Sequence, residues 1–424
     1  MKKTLALSLV VSTFIFAGGD IAPVEPAVVT PAPAPVAAPA SNWKFSGQGV
    51  VYYQTRDNWG QGSLFDQGSS QANVGLSLKA ENSDLIGGIG FGTELIGLGT
   101  LGLEEDVVSG VLARASEGEL NAGAINQLYL TYGLNNTKFK VGRQELPLAL
   151  SPLAYSEGWN LFKNTFEALT IVNTDIANTT LVGAWVRSGN GFVNTANPDI
   201  SHGNFVKLNG NDGVYMLTAQ NKSIDGLTLT GSLYHAPDML VTDDVNAGWL
   251  DAAFKIGSFN AALQGGIIES SAFTNDTTAY GAKIGGTFGD IDASLAFSSV
   301  NDGDLGVKEL GAKVKTPLYT QMILNQDAIY KDSDTVVARA SMKALGGKIA
   351  LEYDYSDLGS TATKSTFGTL GGAGTYQEAD LIYTTNITKD LSVFAAYVYQ
   401  HDDRVVAPAD NSQNFIRAWA RYNF

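Results

Sequence analysis

The chain has 424 residues, with 27 basic against 42 acidic side chains, a formal charge of −15 and no cysteine. So acidic a chain is a poor partner for nucleic acid, and without cysteine it can form neither disulfides nor a lipid-attached N-terminus. Charged residues are only 16% of the total, against about a quarter in a soluble domain, yet the mean hydropathy of +0.01 excludes a helical membrane protein.

The chain opens as an export signal does. Lys2 and Lys3 form a positive start, Thr4 to Phe16 an apolar core, and Ala17-Gly18-Gly19 a small-residue cluster. Residues 1–17 are therefore expected to be a signal peptide, although Ile15 is a poor residue three positions before the cut. Residues 18–41 follow as a tether; between 22 and 41 they hold six of the twelve prolines. Such a Pro/Ala tract favours extended, polyproline-like chain and cannot bury a core.

From residue 42 to 424 the pattern changes to period two. Trp43, Phe45, Gly47, Gly49, Val51 and Tyr53 alternate with Lys44, Ser46, Gln48, Val50 and Tyr52. The same alternation runs through residues 73–80, 127–132, 259–267, 291–297 and 391–399. No segment reaches the roughly eighteen consecutive apolar residues of a helical span. An exported, half-apolar chain of this kind leaves a closed transmembrane β-barrel, the strand-built solution to backbone hydrogen bonding in lipid.

Short turns are expected at Asn82-Ser83-Asp84, Asn135-Asn136-Thr137, Gly257-Ser258, Gly289-Asp290 and Gly346-Gly347. Longer loops are expected near residues 56–72, 96–123, 145–165, 189–212, 236–246, 357–375 and 401–412. Short periplasmic turns and long extracellular loops are the asymmetry of such barrels. Prolines 147, 152, 198, 237, 317 and 408 all fall in those loops or turns, as they must if they are to stay out of the ladders. Counting segments gives about twenty strands, with Thr320–Tyr330 and Thr335–Met342 the least regular pair, and sixteen to twenty as the range.

The last strand carries the clearest signal. Ile416, Ala418, Ala420 and Tyr422 face lipid by parity, while Arg417, Trp419, Arg421 and Asn423 face the lumen. Tyr422 and the terminal Phe424 resemble the signal that the outer-membrane assembly machinery reads on unfolded porins.

Val141-Gly142-Arg143-Gln144-Glu145-Leu146-Pro147, followed by Ser156-Glu157-Gly158-Trp159-Asn160-Leu161-Phe162-Lys163-Asn164-Thr165-Phe166-Glu167-Ala168, resembles the OprD-like porins and the campylobacterial major outer membrane porins. Gly18-Gly19-Asp20 with the Pro-rich tether is similar to exported porins of the latter group. The resemblance implies eighteen strands, a homotrimer, and a third long loop folded into the lumen. Residues 145–165 suit that role, since Leu148, Leu150, Leu153, Tyr155, Trp159 and Phe162 are too apolar for a loop standing in water.

Arg187, Arg339, Arg417 and Arg421 have lumen-facing parity, with Lys138, Lys140, Lys255, Lys283, Lys313 and Lys343. Arg143 has lipid-facing parity and must sit at a strand end or register change. With Glu145 and Glu157 from the inward loop, these arginines would form a basic wall opposite an acidic loop, setting a transverse field. The expected function is an outer-membrane porin for passive diffusion of small hydrophilic solutes and ions, with a slight cation preference from loop acids such as Glu104, Glu105, Asp243, Asp244, Asp402 and Asp403. Its surroundings would be lipid and lipopolysaccharide. The alternatives are a channel specific for small carboxylates or sugars, and a non-transport adhesin or envelope anchor.

No cofactor is expected. Asn301-Asp302-Gly303-Asp304 could attract calcium but lacks a complete calcium-loop pattern. Gly97-Leu98-Gly99-Thr100-Leu101-Gly102 fits the dinucleotide fingerprint without a βαβ unit around it, and His202, His235 and His401 show no catalytic or metal spacing. An enzyme is not expected.

Overall fold

Period-two alternation becomes eighteen antiparallel strands in one closed barrel. The computed structural model describes residues 42–190, 200–311, 313–362, 373–405 and 409–424. The expected signal peptide and tether, Pro198 and Pro408 lie outside the described residues. The strands are β1 (Trp43–Arg56), β2 (Ser70–Ile86), β3 (Ile89–Gly99), β4 (Ala122–Leu134), β5 (Thr137–Gln144) and β6 (Phe166–Asn173). Next come β7 (Thr179–Gly189), β8 (Val214–Asn221), β9 (Leu227–Leu240), β10 (Asp243–Ile256), β11 (Phe259–Glu269) and β12 (Thr277–Phe288). The set closes with β13 (Ile291–Val300), β14 (Ser333–Ala344), β15 (Gly347–Leu358), β16 (Gly374–Asn386), β17 (Leu391–Asp402) and β18 (Ser412–Asn423).

Each strand pairs with its sequence neighbour, and β1 pairs with β18 to complete the circle. Alternation sorts the faces. On β14 Thr335, Val337 and Arg339 are buried inward, while Val336, Ala338 and Ala340 are exposed outward. Outward Leu217, Leu233, Leu250, Leu263, Ile284, Leu295, Leu351 and Leu381 form an apolar band. Trp43, Phe45, Phe91, Phe259, Phe288, Tyr422 and Phe424 ring it at the short-turn end, and Tyr215, Tyr280, Tyr353, Tyr355, Tyr397 and Tyr399 nearer the other. A lipid-facing band between aromatic girdles is what a bilayer selects.

Three expectations about the connections are corrected. Thr320–Tyr330 is not a strand: it lies in a 301–332 connection, the seventh at the long-loop end, whereas Thr335–Met342 does fall within β14. Met322, Ile323 and Ile329 are buried there against the inner wall rather than paired in a ladder. The expected long loop at 236–246 is a tight hairpin between β9 and β10. Pro237 sits inside β9, at an irregularity between Ala236 and Leu240 where ladder pairing lapses. The turn expected at Asn82–Asp84 occurs at Gly87-Gly88, after a similar irregularity.

The apolar core lies inside the barrel, where the third (145–165) and seventh loops pack on the wall. Leu153 and Leu318 join Val182, Val186, Met216, Val245 and Trp249. Leu161 and Phe162 join Val50, Tyr52, Ile96 and Leu98. Ile323 joins Ala350, Ile382, Phe394 and Val398. Parts of the inward wall are thus apolar where the loops rest on them.

Closure reaches the last residue. Gly47 N donates to Phe424 O at 2.8 Å, and Phe424 N donates to Gly47 O at 3.0 Å. A side chain at Gly47 would begin 2.4 Å from the Phe424 ring and 2.6 Å from Ser77 O. Gly47→Val should therefore cost about 1–3 kcal/mol, the usual price of overpacking, and lower the yield of barrel with heat-modifiable gel mobility. An unchanged folded fraction would refute this account of the seam.

Candidate functional site: the luminal constriction

Two clamps hold the neck of the third loop. Arg143 Nε and Glu167 Oε1 pair at 3.1 Å on the outward side, and Lys163 Nζ and Glu145 Oε2 pair at 3.1 Å on the inward side. Gln127 steadies Glu145 with a donor at 3.0 Å. Arg143 reaches its place because Gly142 has φ +121°, where a Cβ would lie 2.2 Å from Leu128 O. It also donates to Ile125 O and lies over the Phe205 ring.

Beyond its neck the loop crosses the lumen. Leu153 N donates to the Tyr234 hydroxyl of β9 at 3.1 Å. Leu310 N donates to Leu153 O, and Tyr155 Oη donates to Thr316 O, so the third and seventh loops hold each other. Glu157, expected to face the pore, is only 1% exposed. Its carboxylate accepts from Trp159 N at 2.6 Å and from the Asn160 amide, folding the loop's own tip.

That tip meets β18. Arg421 donates to Asn160 O at 2.6 Å, and its guanidinium lies 4.5 Å from the Trp419 ring centre. Arg417 donates to Gln54 on β1 at 3.0 Å and lies 5.3 Å from the Trp159 ring centre. Lys315 of the seventh loop approaches the same ring at 4.7 Å. Trp159 is thereby gripped by two cations. Arg417 and Arg421 are 7% and 6% exposed.

The seventh loop is seated differently, on carboxylates. Glu352 and Asp354 of β15 and Glu378 and Asp380 of β16 are all buried. Leu324 N donates to Glu378 at 2.8 Å, Ile323 N to Asp380 at 3.4 Å, and the Asn325 amide to Asp354. Arg339 pairs with Glu352 at 3.1 Å and donates to Tyr319 O and Gln321 O at 3.1 and 2.8 Å. Tyr319 reaches across to Asp251 of β10.

The expected site residues thus separate. Arg417, Arg421 and the tip that Glu157 folds come together; Arg339 lies under the seventh loop; Arg143 and Glu145 hold the third loop's neck. Arg187 stands apart, exposed at an irregularity in the β6–β7 ladder and opposite in face to the buried Val186. Lys313, assigned wall parity, belongs to the seventh loop. Lys315, Tyr319 and Asn325 were missed with that loop. The acids were legible: Glu352 and Asp354 stand two apart at inward parity, as do Glu378 and Asp380.

At the possible calcium segment, Asn301 accepts from Thr278 N and Asp304 from Thr274 N, so both cap neighbouring chain. Among the described residues no three His, Cys, Asp or Glu side chains gather as a metal site. Ile200-Ser201 pairs in parallel with Ala113-Arg114. The following His202 is fully buried beside Phe162, which holds its pKa down at about 4.

No family model matches the chain, and no curated protein does. Solved structures do match. Acinetobacter baumannii OccAB3 is similar with a TM-score of 0.70 at 15% identity, over 90% of this chain and 99% of that one. Pseudomonas aeruginosa OpdK with vanillate gives 0.68 at 13%, over 90% and 98%. P. aeruginosa OccK2 (OpdF) with glucuronate gives 0.65 at 15%, over 90% and 98%. These neighbours are outer-membrane channels of the OprD type. At such identities the likeness is one of fold. The campylobacterial part of the resemblance has no counterpart among these three.

Two outcomes are expected. Trp159→Ala should raise single-channel conductance by freeing the tip from Lys315 and Arg417; unchanged conductance would remove the tip from the constriction. Burial of neutral His202 contributes stability that is present above its ordinary pKa of 6.5 and lost as pH falls through about 4. Proteolysis of the loops should therefore accelerate near pH 4 in the wild type and less in His202→Phe.

Proposed function

We propose that the protein is an outer-membrane channel selective for small organic anions, carboxylates foremost, rather than a general porin. The observation that carries this reading is Arg417. Its Nε is a buried, charged donor with no acceptor among the described residues, beside the aromatic face of Trp159 at the meeting of loop tip and wall. A charged donor left unmatched is costly, and a carboxylate is the acceptor that best fits a guanidinium. The neighbouring carboxylates do not offset it. Glu352, Asp354 and Glu378 accept bonds from Arg339 and from seventh-loop donors, and Asp380 accepts from Ile323 N through one oxygen while its other oxygen has no partner among the described residues.

Two of the similar channels were solved with vanillate and with glucuronate, both carboxylates, which supports the same class here. The reading replaces the slight cation preference expected from loop acids with an anion preference set deeper in the lumen. Liposome influx of vanillate and glucuronate should exceed that of uncharged sugars of similar size, and a salt gradient should give an anion-selective reversal potential. Arg417→Gln should slow carboxylate flux about tenfold, the effect of one charge-assisted bond, and leave sugar flux unchanged. Arg417→Lys should fall between them, keeping charge but losing the fork. Equal rates for all solutes in wild type would return the protein to the general porins.

A further inference from the structure

The third and seventh loops meet at a pair of buried carboxyl groups. Glu157 stands at the tip of the third loop and Glu309 near the start of the seventh; they are 1% and 0% exposed. Asn164 links their surroundings. Its Oδ1 accepts from Glu157 N at 2.7 Å. Its Nδ2 has no acceptor among the described residues and lies against Gly311, whose N–H donates to Glu309 Oε2 at 2.6 Å. Glu309 N in turn donates to Lys315 O at 2.9 Å, so the segment carrying this carboxyl also places the lysine that grips Trp159.

We propose that Glu157 and Glu309 form a protonation-dependent latch between the two constriction loops, closed while Glu309 carries its proton and loosened when both groups are charged. The inference rests on the reading of these loops as the constriction.

The surrounding charges favour one negative charge at the junction, not two. Glu157 is matched by the Trp159 N–H and the Asn160 amide, and on its wall side stands Tyr52, which feels Arg417 and Arg421 as well. Glu309 faces Glu157 from the third loop and Lys313 from its own. Its bonds from Gly311 N and Val314 N, at 2.6 and 3.3 Å, with a third from the Lys313 backbone, are the compensation on its own loop. They do not outweigh burial and the nearby Glu157, which together push Glu309 up to about 8. A carboxyl raised in the folded state stabilises the contact fully below its ordinary pKa of 4.5, and that stabilisation is lost as pH rises through about 8.

The test uses the full-length protein, with planar-bilayer conductance and the loss of hydrogen-exchange protection over residues 150–162, taken relative to the intrinsic base-catalysed rate, followed from pH 6 to 10. Both should rise with a midpoint near 8 in wild type. Glu309→Gln, which keeps the shape of the protonated side chain, should flatten both profiles. Glu157→Gln, which removes the repelling charge, should move the midpoint to lower pH. A merely structural pair would move neither midpoint. Exchange that depends on Glu309 without a conductance change would uphold the latch and sink the constriction reading. Superimposable wild-type and Glu309→Gln exchange profiles would overturn the latch itself.

Discussion

In hydrocarbon every backbone N–H and C=O must be paired within the protein. That constraint turns a set of alternating strands into a closed ring, because an open sheet would leave two edges unsatisfied. Here the edges are β1 and β18, and their ladder runs from Gln48 with Asn423 to Arg56 with Phe415. Closing eighteen strands has a second consequence: it encloses a lumen wider than wall side chains alone can fill. The third and seventh loops occupy that space, and the three inner apolar clusters mark where they rest.

The two loops are held by different physics. The third is fixed largely by packing and by cations over aromatic rings, with Trp159 between Lys315 and Arg417. The seventh is fixed by donors aimed at buried carboxylates. Burying four acids would be prohibitive if they were unmatched, but Leu324 N, Ile323 N, Asn325 and Arg339 supply partners. Breaking such a buried network from one side costs about 3–5 kcal/mol, while replacing it wholesale with apolar groups can cost little. The acids therefore define where the seventh loop sits more than how stable the barrel is.

The barrel was legible because strand alternation is local: Trp43 to Tyr53 needs no partner to show which residues face out. The third loop was legible because Leu153, Trp159 and Phe162 contradict a life in water. The seventh was misread in part because Gln321-Met322-Ile323-Leu324 is an apolar stretch of strand length, and its burial comes from a wall distant in sequence. Gly303, Gly306, Gly311 and Pro317 were the local warning against a strand there. Arg187 shows a different limit. Parity assigns a face only while register holds, and one irregularity between Glu167 and Ala168 undoes it. Glu157 had the expected location, but its carboxylate is spent on its own loop, a fact of geometry and not of composition.

The terminal strand joins these themes. The ladder that brings Phe424 to Gly47 also sets Arg417 opposite Gln54 and Arg421 opposite Val50. In a strand, a slip of one residue turns every side chain to the other face. A slipped β18 would send both guanidiniums toward lipid, where a charge near the midplane of a barrel wall costs about 2–4 kcal/mol, and would bring Ala418 and Ala420 inward. Those two arginines therefore work against misregistered closure from within the sequence of the closing strand. The anchor that seals the ring and the cations beneath the third loop's tip are fixed by one register, so assembly and the chemistry of the pore cannot vary independently.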